Sequence, residues 1–349
     1  MQQPASQSTF AYFDSGHEFP EEIAMAAGFT PYKVLGDVHA STGPGDRYVP
    51  AFVCPFSRSA LTEGIAHGRD WAGIAFCHGC DVTNRQYDIW KHHVETGFLY
   101  WVNSPANGNA AARAFHRHEF HRFIGRLSEH FGVTIDRDRL ASAIRLSNRV
   151  KALMRELSAL RAVRDIPNVE YHALTVKCVQ QPKESLVGEL QAALEDWRGR
   201  PGFPEDKVPV LVTGSDISYP EWMEVLEHAG LRMVRDDMSL GERCFARGID
   251  EAIDPVDALV EYKSSIPQPP TRLPFTARLD YLRQCLRETP VRGVIYQTLK
   301  FCEPYLLDRP YVVEQLKGDG VKVIAIEREY TPVIDQQVVS RLETFREII

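Results

Sequence analysis

The sequence predicts an α/β protein with two parallel-sheet domains and a helical segment between them. Short apolar runs alternate with helical patterns before residue 110 and again after residue 200, and this alternation is typical of parallel sheets covered by helices. Between these two regions the pattern changes to long helices with apolar residues three and four positions apart. The length of 349 residues is also more than one typical domain.

Residues 1–109 are predicted to form the amino-terminal α/β domain. Residues 1–15 predict a frayed start, and a short helix follows over residues 20–27, with Pro20 in its first turn and Gly28 just beyond its end. The strands of this domain are predicted at residues 32–35, 71–76 and 98–102, and its longer helices at residues 54–67 and 83–94.

Residues 110–200 are predicted to be a helical segment and linker, which ends in a Pro/Gly-rich break at residues 198–204. Residues 201–349 are predicted to form the carboxy-terminal α/β domain. Its strands are expected at residues 208–212, 231–234, 291–296 and 321–326, and its helices at residues 219–230, 278–287, 305–316 and 336–348. The prediction is therefore two Rossmann- or flavodoxin-like parallel-sheet domains with a helical insertion.

Composition excludes several classes of function. The 40 basic and 47 acidic residues give a net charge of −7, which argues against a nucleic-acid-binding surface. No apolar run approaches the ~18 residues that a membrane-spanning helix needs. No signal peptide is evident, so we expect a cytoplasmic protein. The seven cysteines are scattered and odd in number, which does not suggest a disulfide framework.

Three cysteines lie where a predicted strand gives way to a helix: Cys54, Cys80 and Cys302. Ligands of open parallel sheets bind at the carboxyl ends of the strands, and a helix amino terminus lowers the pKa of a thiol and favours the metal-binding thiolate. These positions indicate metal ligands. Each is also compatible with a small buried residue, and the Cys77–Cys80 pair is compatible with a redox dithiol or half of a zinc site. The remaining cysteines are predicted to be structural: Cys178, Cys244 and Cys285.

A set of short motifs, in this order and spacing, resembles one family. The chain is similar over nearly its whole length to the cluster-bearing subunits shared by 2-hydroxyacyl-CoA dehydratases and ATP-dependent (class I) benzoyl-CoA reductases. The motifs are PEEIAMAAG (20–28), PAFVC (50–54), CD (80–81), YDIW (87–90), LVTGS (211–215), DD (236–237), KFCEP (300–304) and RLETF (341–345).

The resemblance implies that Cys54, Cys80 and Cys302 hold a [4Fe–4S] cluster between the two domains. Three thiolates leave one iron with an open coordination position, whereas electron-transfer clusters usually have four. Cys77 matches no ligand position of the family and is taken as a bystander, with a fourth ligand as the alternative. An ATP-hydrolysing activator protein would deliver a low-potential electron for radical reduction of benzoyl-CoA or dehydration of a 2-hydroxyacyl-CoA.

The resemblance also implies partners. The family pairs this kind of chain with a related cluster-bearing sister subunit, and KFCEP is more similar to the electron-relay partner than to the subunit that binds the acyl-CoA substrate. The chain has no P-loop, so ATP is expected to be handled elsewhere. The alternative function is a stand-alone iron–sulfur electron carrier or a small-molecule reductase of the same fold.

Other polar residues have weaker predicted roles. Glu303, beside Cys302, is a candidate catalytic proton donor or iron ligand, or only a helix-dipole residue. His78 and Arg58 are candidates for tuning a cluster through hydrogen bonds. Residues 214–216 are predicted to cap the next helix, with a cradle for CoA as the alternative, and residues 236–237 are predicted to stabilise a turn.

Overall fold

The computed structural model describes residues 8–14, 16 and 19–349, which form an α/β fold with two four-stranded sheets. Every described strand pairing is parallel. The predicted fold class, two parallel-sheet domains with additional helices, is therefore confirmed.

The first sheet has the strand order β2-β1-β3-β4. Its strands are β1 (Thr9–Phe13), β2 (Thr30–Lys33), β3 (Gly73–Cys77) and β4 (Leu99–Val102). The second sheet has the order β6-β5-β7-β8. Its strands are β5 (Val208–Gly214), β6 (Leu231–Asp237), β7 (Gly293–Leu299) and β8 (Val323–Arg328). In both sheets the first strand of the half is flanked by its second and third strands, so the two halves repeat one topology.

Helices cover the faces of both sheets. In the first half they are α1 (Glu21–Ala26), α2 (Gly43–Asp46), α3 (Pro55–His67) and α4 (Asp81–His93). The central helices are α5 (Ala110–Phe131), α6 (Arg137–Leu160), α7 (Asn168–Gln180) and α8 (Lys183–Gly199). In the second half they are α9 (Glu221–His228), the 3₁₀ turn η1 (Glu242–Cys244), α10 (Pro255–Ser265), α11 (Thr276–Glu288), α12 (Glu303–Gly318) and α13 (Gln336–Ile348).

The prediction of a frayed start is wrong for β1. This strand pairs with both β2 and β3, and four of its five residues are buried. Because both faces of a central parallel strand are covered, the apolar run carries no alternating pattern and is easily taken for part of a polar terminus. The rest of the predicted frayed stretch, residues 1–7 and 15, lies outside the described residues.

The central helices pack on both sheets and hold the halves together. Phe120 and Phe123 of α5 pack in one apolar cluster with the first sheet, whereas Leu190 and Trp197 of α8 pack in another with the second. Residues 256–266, which belong to the predicted second domain, pack against the first sheet. The predicted domain boundaries therefore stay a prediction. None of the helices that the structure describes is long and apolar enough to cross a membrane.

Candidate functional site

The three predicted ligand cysteines each stand at the start of a helix. Cys54 is the N-cap residue of α3, Cys80 of α4 and Cys302 of α12. Proline follows Cys54 directly and follows Cys302 by two positions, which suits the first helical turn because that turn needs no backbone donor there. The helix starts predicted next to Cys54 and Cys302 are confirmed.

The three cysteines line one inner cavity of about 70 Å³, which is larger than the ~10–15 Å³ that a single water requires. This inner cavity lies between the carboxyl ends of the two sheets, because its walls include the last residue of β1 and residues that follow β3, β5 and β7. Most of its wall is apolar, and Phe13 and Phe56 contribute stacked aromatic rings. The thiols therefore meet in a largely dry space.

The topological repeat explains where the cysteines stand. Cys80 begins the helix after β3, and Cys302 begins the helix after β7, so they occupy equivalent positions in the two halves. Cys54 begins α3, the helix before β3. Its counterpart is the loop of residues 267–275 before α11, which carries no cysteine. Three of the four equivalent corners thus hold a thiol.

A tight turn sets the position of Cys302. Phe301 has a positive φ of 64°, which is rare for a bulky residue, and the Cys302 N–H donates to the Leu299 carbonyl at 2.9 Å. The Ser215 hydroxyl accepts from the Leu299 N–H at 3.0 Å and hydrogen-bonds the Cys302 sulfur. Gly214 makes this approach possible, because a Cβ there would lie 1.7 Å from the Gln297 carbonyl oxygen.

Burial controls the acidity of these thiols. Burial raises the pKa of Cys54 to about 11, although the backbone N–H groups of Ser57 and Phe56 oppose the rise. Burial also raises the pKa of Cys302, and the neighbouring Cys54 adds to the effect. The first-turn N–H groups lower the pKa of Cys54 and Cys302 as expected, but desolvation outweighs them and the net shift of both thiols is upward.

The other cysteines stand apart from the inner cavity. Cys77 is fully buried and packs with Phe10 and Tyr12 on one face of the first sheet, whereas its neighbour Phe76 packs on the other face. Cys178, Cys244 and Cys285 are buried within apolar clusters. None of the seven cysteines forms a disulfide bond.

Glu303 lines the inner cavity and is exposed at the first position of α12. No hydrogen bond to its carboxylate occurs within the described residues, whereas Asp216, the other acid of the wall, accepts from Ser239 and from the Leu240 N–H. Glu303 is therefore the carboxylate of this wall that is available to a ligand.

Most of the weaker predictions are wrong. Ser215 does not cap α9, whose N-cap residue is Pro220. The prediction for residues 236–237 is confirmed for Asp236, which lies at the end of β6 and whose Oδ1 accepts from the Met238 and Glu242 N–H groups of the turn that follows, whereas Asp237 pairs with Arg278. Arg58 pairs with Asp46 at 2.7 Å, and His78 hydrogen-bonds the Ser104 carbonyl at 2.9 Å. Neither lines the inner cavity, because local partners hold both side chains elsewhere.

The donor set fits an iron–sulfur cluster. Three thiols, Cys54, Cys80 and Cys302, line one largely apolar cavity. Thiolates are the ligands that such clusters prefer. In the described part of the chain, no three His, Cys, Asp or Glu side chains form a site for a single metal ion.

Comparison with known proteins decides the family. A family model described as "2-hydroxyglutaryl-CoA dehydratase, D-component" matches residues 17–349. The chain belongs to this family. The resemblance predicted from the motifs is confirmed.

Curated relatives of this dehydratase D-component family are subunits of enzymes. The chain is 22% identical to the (R)-phenyllactyl-CoA dehydratase beta subunit of Clostridium sporogenes, over 95% of this chain and 89% of that protein. It is 23% identical to one of the benzoyl-CoA reductase subunits of Thauera aromatica, over 88% and 82%. It is 24% identical to the beta subunit of lactoyl-CoA dehydratase from Anaerotignum propionicum, over 95% and 89%.

The sequence does not predict the contacts of two parts of the site. Ser215, the last residue of the LVTGS motif, contacts Cys302 from the end of β5, and residues 269–271 line the inner cavity from the loop before α11. The only local signal for that loop is its run of prolines, which predicts a rigid connection and no chemistry.

Proposed function

We propose that this chain is the [4Fe–4S]-bearing subunit of a radical acyl-CoA enzyme, either a 2-hydroxyacyl-CoA dehydratase or a benzoyl-CoA reductase. One observation carries the proposal: Cys54, Cys80 and Cys302 come from both halves of the molecule and line one apolar cavity. Relatives of both enzyme types support the acyl-CoA chemistry.

The cysteines would hold the cluster, and the chain around them would orient it. The first turns of α3 and α12 direct backbone N–H groups at Cys54 and Cys302, and Ser215 adds a side-chain hydrogen bond. Such hydrogen bonds stabilise a thiolate and raise the potential of a bound cluster. When bound, the group would supply one low-potential electron and an iron with an open coordination position.

The cavity wall would exclude water and provide a proton carrier. Phe13, Phe56 and Leu299 are apolar neighbours of the cysteines, so a substrate carbonyl held there would lose its contact with bulk water. Glu303 stands between the cavity and solvent and would donate or accept the proton of the reaction.

The proposal includes partners that the chain itself does not supply. The relatives are named as individual subunits of their enzymes, which supports a sister subunit for this chain. A separate ATP-hydrolysing activator would deliver the electron. The cytoplasmic location stays a prediction of the sequence.

The cluster assignment is tested by anaerobic purification followed by iron and sulfide analysis. Cys54→Ala, Cys80→Ala and Cys302→Ala should each lose the cluster and its visible absorption, because two thiolates hold a cluster poorly. Cys285→Ala is the matched control, since Cys285 does not line the inner cavity and its loss should not affect iron content. Equal iron in all four variants, or an iron-free wild type, would contradict the assignment.

The choice of enzyme is tested with the natural partners. The isolated complex is supplied with activator, ATP and reductant, and is assayed with benzoyl-CoA and with a 2-hydroxyacyl-CoA. Turnover of one substrate class assigns the chain to the reductase or the dehydratase. A cluster-containing protein that turns over neither would favour the alternative of a stand-alone electron carrier.

A further inference from the structure

One buried arginine of the second half has only neutral partners. Arg328, the last residue of β8, is 3% exposed. Its guanidinium donates to Gln297 Oε1 at 2.7 Å, to the Tyr219 hydroxyl at 3.0 Å and to the backbone carbonyl of Asp216. Within the described residues it makes no ion pair with a carboxylate. The positive charge of Arg328 is therefore buried without a direct counter-charge.

Other buried arginines differ from Arg328 in this respect. Four of them contact an Asp or Glu side chain: Arg161, Arg232, Arg243 and Arg278. The carboxylate of Asp216 does not serve Arg328, because it accepts from the Ser239 hydroxyl and from the Leu240 N–H. A buried charge is costly unless an opposite charge lies near it. The position of Arg328 thus indicates a negative group that the polypeptide itself does not carry.

Arg328 lies directly behind the wall of the inner cavity. In the parallel pairing of β7 with β8 its register partner is Leu299, which lines that cavity. Asp216, whose carbonyl binds the guanidinium, lines the same cavity. The buried cation is therefore separated from the cysteine-lined space by a single layer of residues.

A chain of hydrogen bonds links Arg328 to a ligand cysteine. Gln297 accepts from the guanidinium and donates through Nε2 to the Ser215 carbonyl, and Ser215 hydrogen-bonds the Cys302 sulfur. The field of the cation also reaches a second cysteine. Burial raises the pKa of the Cys54 thiol, and the positive charge of Arg328 is among the influences that oppose this rise. Both cysteines are thus coupled to the same guanidinium.

We propose that Arg328 is the counter-ion of the iron–sulfur site of Cys54, Cys80 and Cys302, and that its charge favours the reduced cluster. The inference rests on the proposed function and deepens it, because it names a residue that sets the potential of that site. A [4Fe–4S] core with three thiolates carries net negative charge, and one-electron reduction adds another. A fixed cation behind an apolar wall stabilises the more negative state.

Redox titration of the full-length, cluster-loaded chain, monitored by EPR, tests the proposal. Arg328→Gln removes the charge and should lower the equilibrium constant of the one-electron reduction about tenfold, a fall of ~59 mV in midpoint potential. Arg328→Lys keeps the charge but not the forked hydrogen bonds, so its potential should stay closer to that of the wild type. Arg232→Gln is the matched control and should leave the potential unchanged, because this buried arginine pairs with Asp165 and Glu227 at the amino end of β6.

A second variant tests the same charge without removing the arginine. Gln297→Glu gives the guanidinium a carboxylate partner at nearly constant volume, so the midpoint potential should fall here too, also where Arg328→Gln fails to fold. A wild-type potential in either variant, or equal shifts in Arg328→Gln and Arg328→Lys, would overturn the inference and leave the cluster assignment intact. Wild-type protein without iron would instead overturn the proposed function, and this inference with it.

Discussion

The two halves share one topology but differ in the interactions at the carboxyl ends of their sheets. At the first sheet the end is aromatic: Phe13 stacks on Phe56 at 5.9 Å and on Trp90 at 6.4 Å. At the second sheet an ionic network lies behind the cavity wall: Arg278 binds Asp237 at 3.0 Å and also pairs with Asp308. Apolar packing fills space without strong direction, whereas ion pairs and hydrogen bonds fix orientation.

The difference indicates that the two halves have different structural roles at the inner cavity. The first half contributes no charged side chain to the wall of the inner cavity, and its buried Asp14–Lys33 pair at 2.8 Å lies outside it, whereas the second half contributes Asp216 and Glu303. The second half uses directional bonds beside the cavity, where Arg328 donates to Gln297 at 2.7 Å and to Tyr219 at 3.0 Å. The first half therefore supplies a dry wall, and the second half orients the loops of Ser215 and Cys302.

The largest effect on stability is expected when the ion pairs of Arg278 in the second half are removed. Arg278→Met leaves Asp237 and Asp308 without their main partner in a buried site and should lower the free energy of unfolding by about 3–5 kcal/mol. Urea unfolding at neutral pH measures it. Arg198→Met, which removes an exposed ion pair with Glu156, should change it by less than about 1 kcal/mol. Equal losses would mean that the ionic network does not organise the second half.

A smaller effect, with a distinct pH dependence, is expected in the first half. Burial opposes ionisation of Glu22, but Lys151 and Ser147 outweigh it and lower its pKa to about 2 from an ordinary value of 4.5. A lowered pKa stabilises the fold above about pH 4.5, and this stabilisation is lost as the pH falls towards 2. Glu22→Gln should therefore cost about 3 kcal/mol at neutral pH.

The difference between wild type and Glu22→Gln should narrow as the pH falls below about 4.5, as followed by urea unfolding over a pH series. Iron content should not change, because Glu22 does not line the inner cavity. Glu329→Gln, in an exposed pair with Lys300, is the control and should show no such trend. A constant difference at every pH would show that the carboxylate charge does not stabilise the first half.

A finer contrast separates Cys302 from Cys54. The Cys302 sulfur receives a side-chain hydrogen bond from Ser215, whereas the Cys54 sulfur receives only backbone donors from Phe56 and Ser57. Because a hydrogen bond to sulfur favours the reduced cluster, Ser215→Ala should lower the midpoint potential by on the order of 40 mV, measured by EPR-monitored titration.

The serine beside the other cysteine is the control for that contrast. The Ser57 hydroxyl donates to the Cys54 carbonyl at 2.7 Å, and only the Ser57 backbone N–H donates to the Cys54 sulfur. Because Ser57→Ala keeps that backbone donor, it should leave the midpoint potential nearly unchanged. A larger shift of the midpoint potential in Ser57→Ala than in Ser215→Ala would mean that side-chain hydrogen bonding to the cluster ligands comes from the first half and not from the second.

Local sequence determines the features that are predicted correctly. Cys54 and Cys302 lie next to prolines in the first turns of helices, so the sequence predicts both the helix starts and the positions of these cysteines. β1 escapes prediction because burial on both faces removes the alternating pattern. The turn role of Asp236 can be predicted because an aspartate side chain commonly accepts from nearby backbone N–H groups, whereas Arg278, the partner of Asp237, lies some forty positions away in sequence. Contacts that depend on such distant partners, including that of Ser215 with Cys302, cannot be read from neighbouring residues.

The smallest effect is expected from the cysteine that lies next to the site without entering it. Side chains alternate along β3, so Phe76 faces the apolar cluster that contains Phe13, and Cys77 faces the opposite cluster with Phe10 and Tyr12. Cys77→Ala should therefore leave iron, sulfide and EPR signal at wild-type levels, and should cost only about 1 kcal/mol of stability through the lost sulfur contacts. Cys80→Ala, three residues further along, should lose the cluster. If Cys77→Ala also loses iron, the cluster has a fourth thiolate, and the open coordination position that the proposed chemistry requires would not exist.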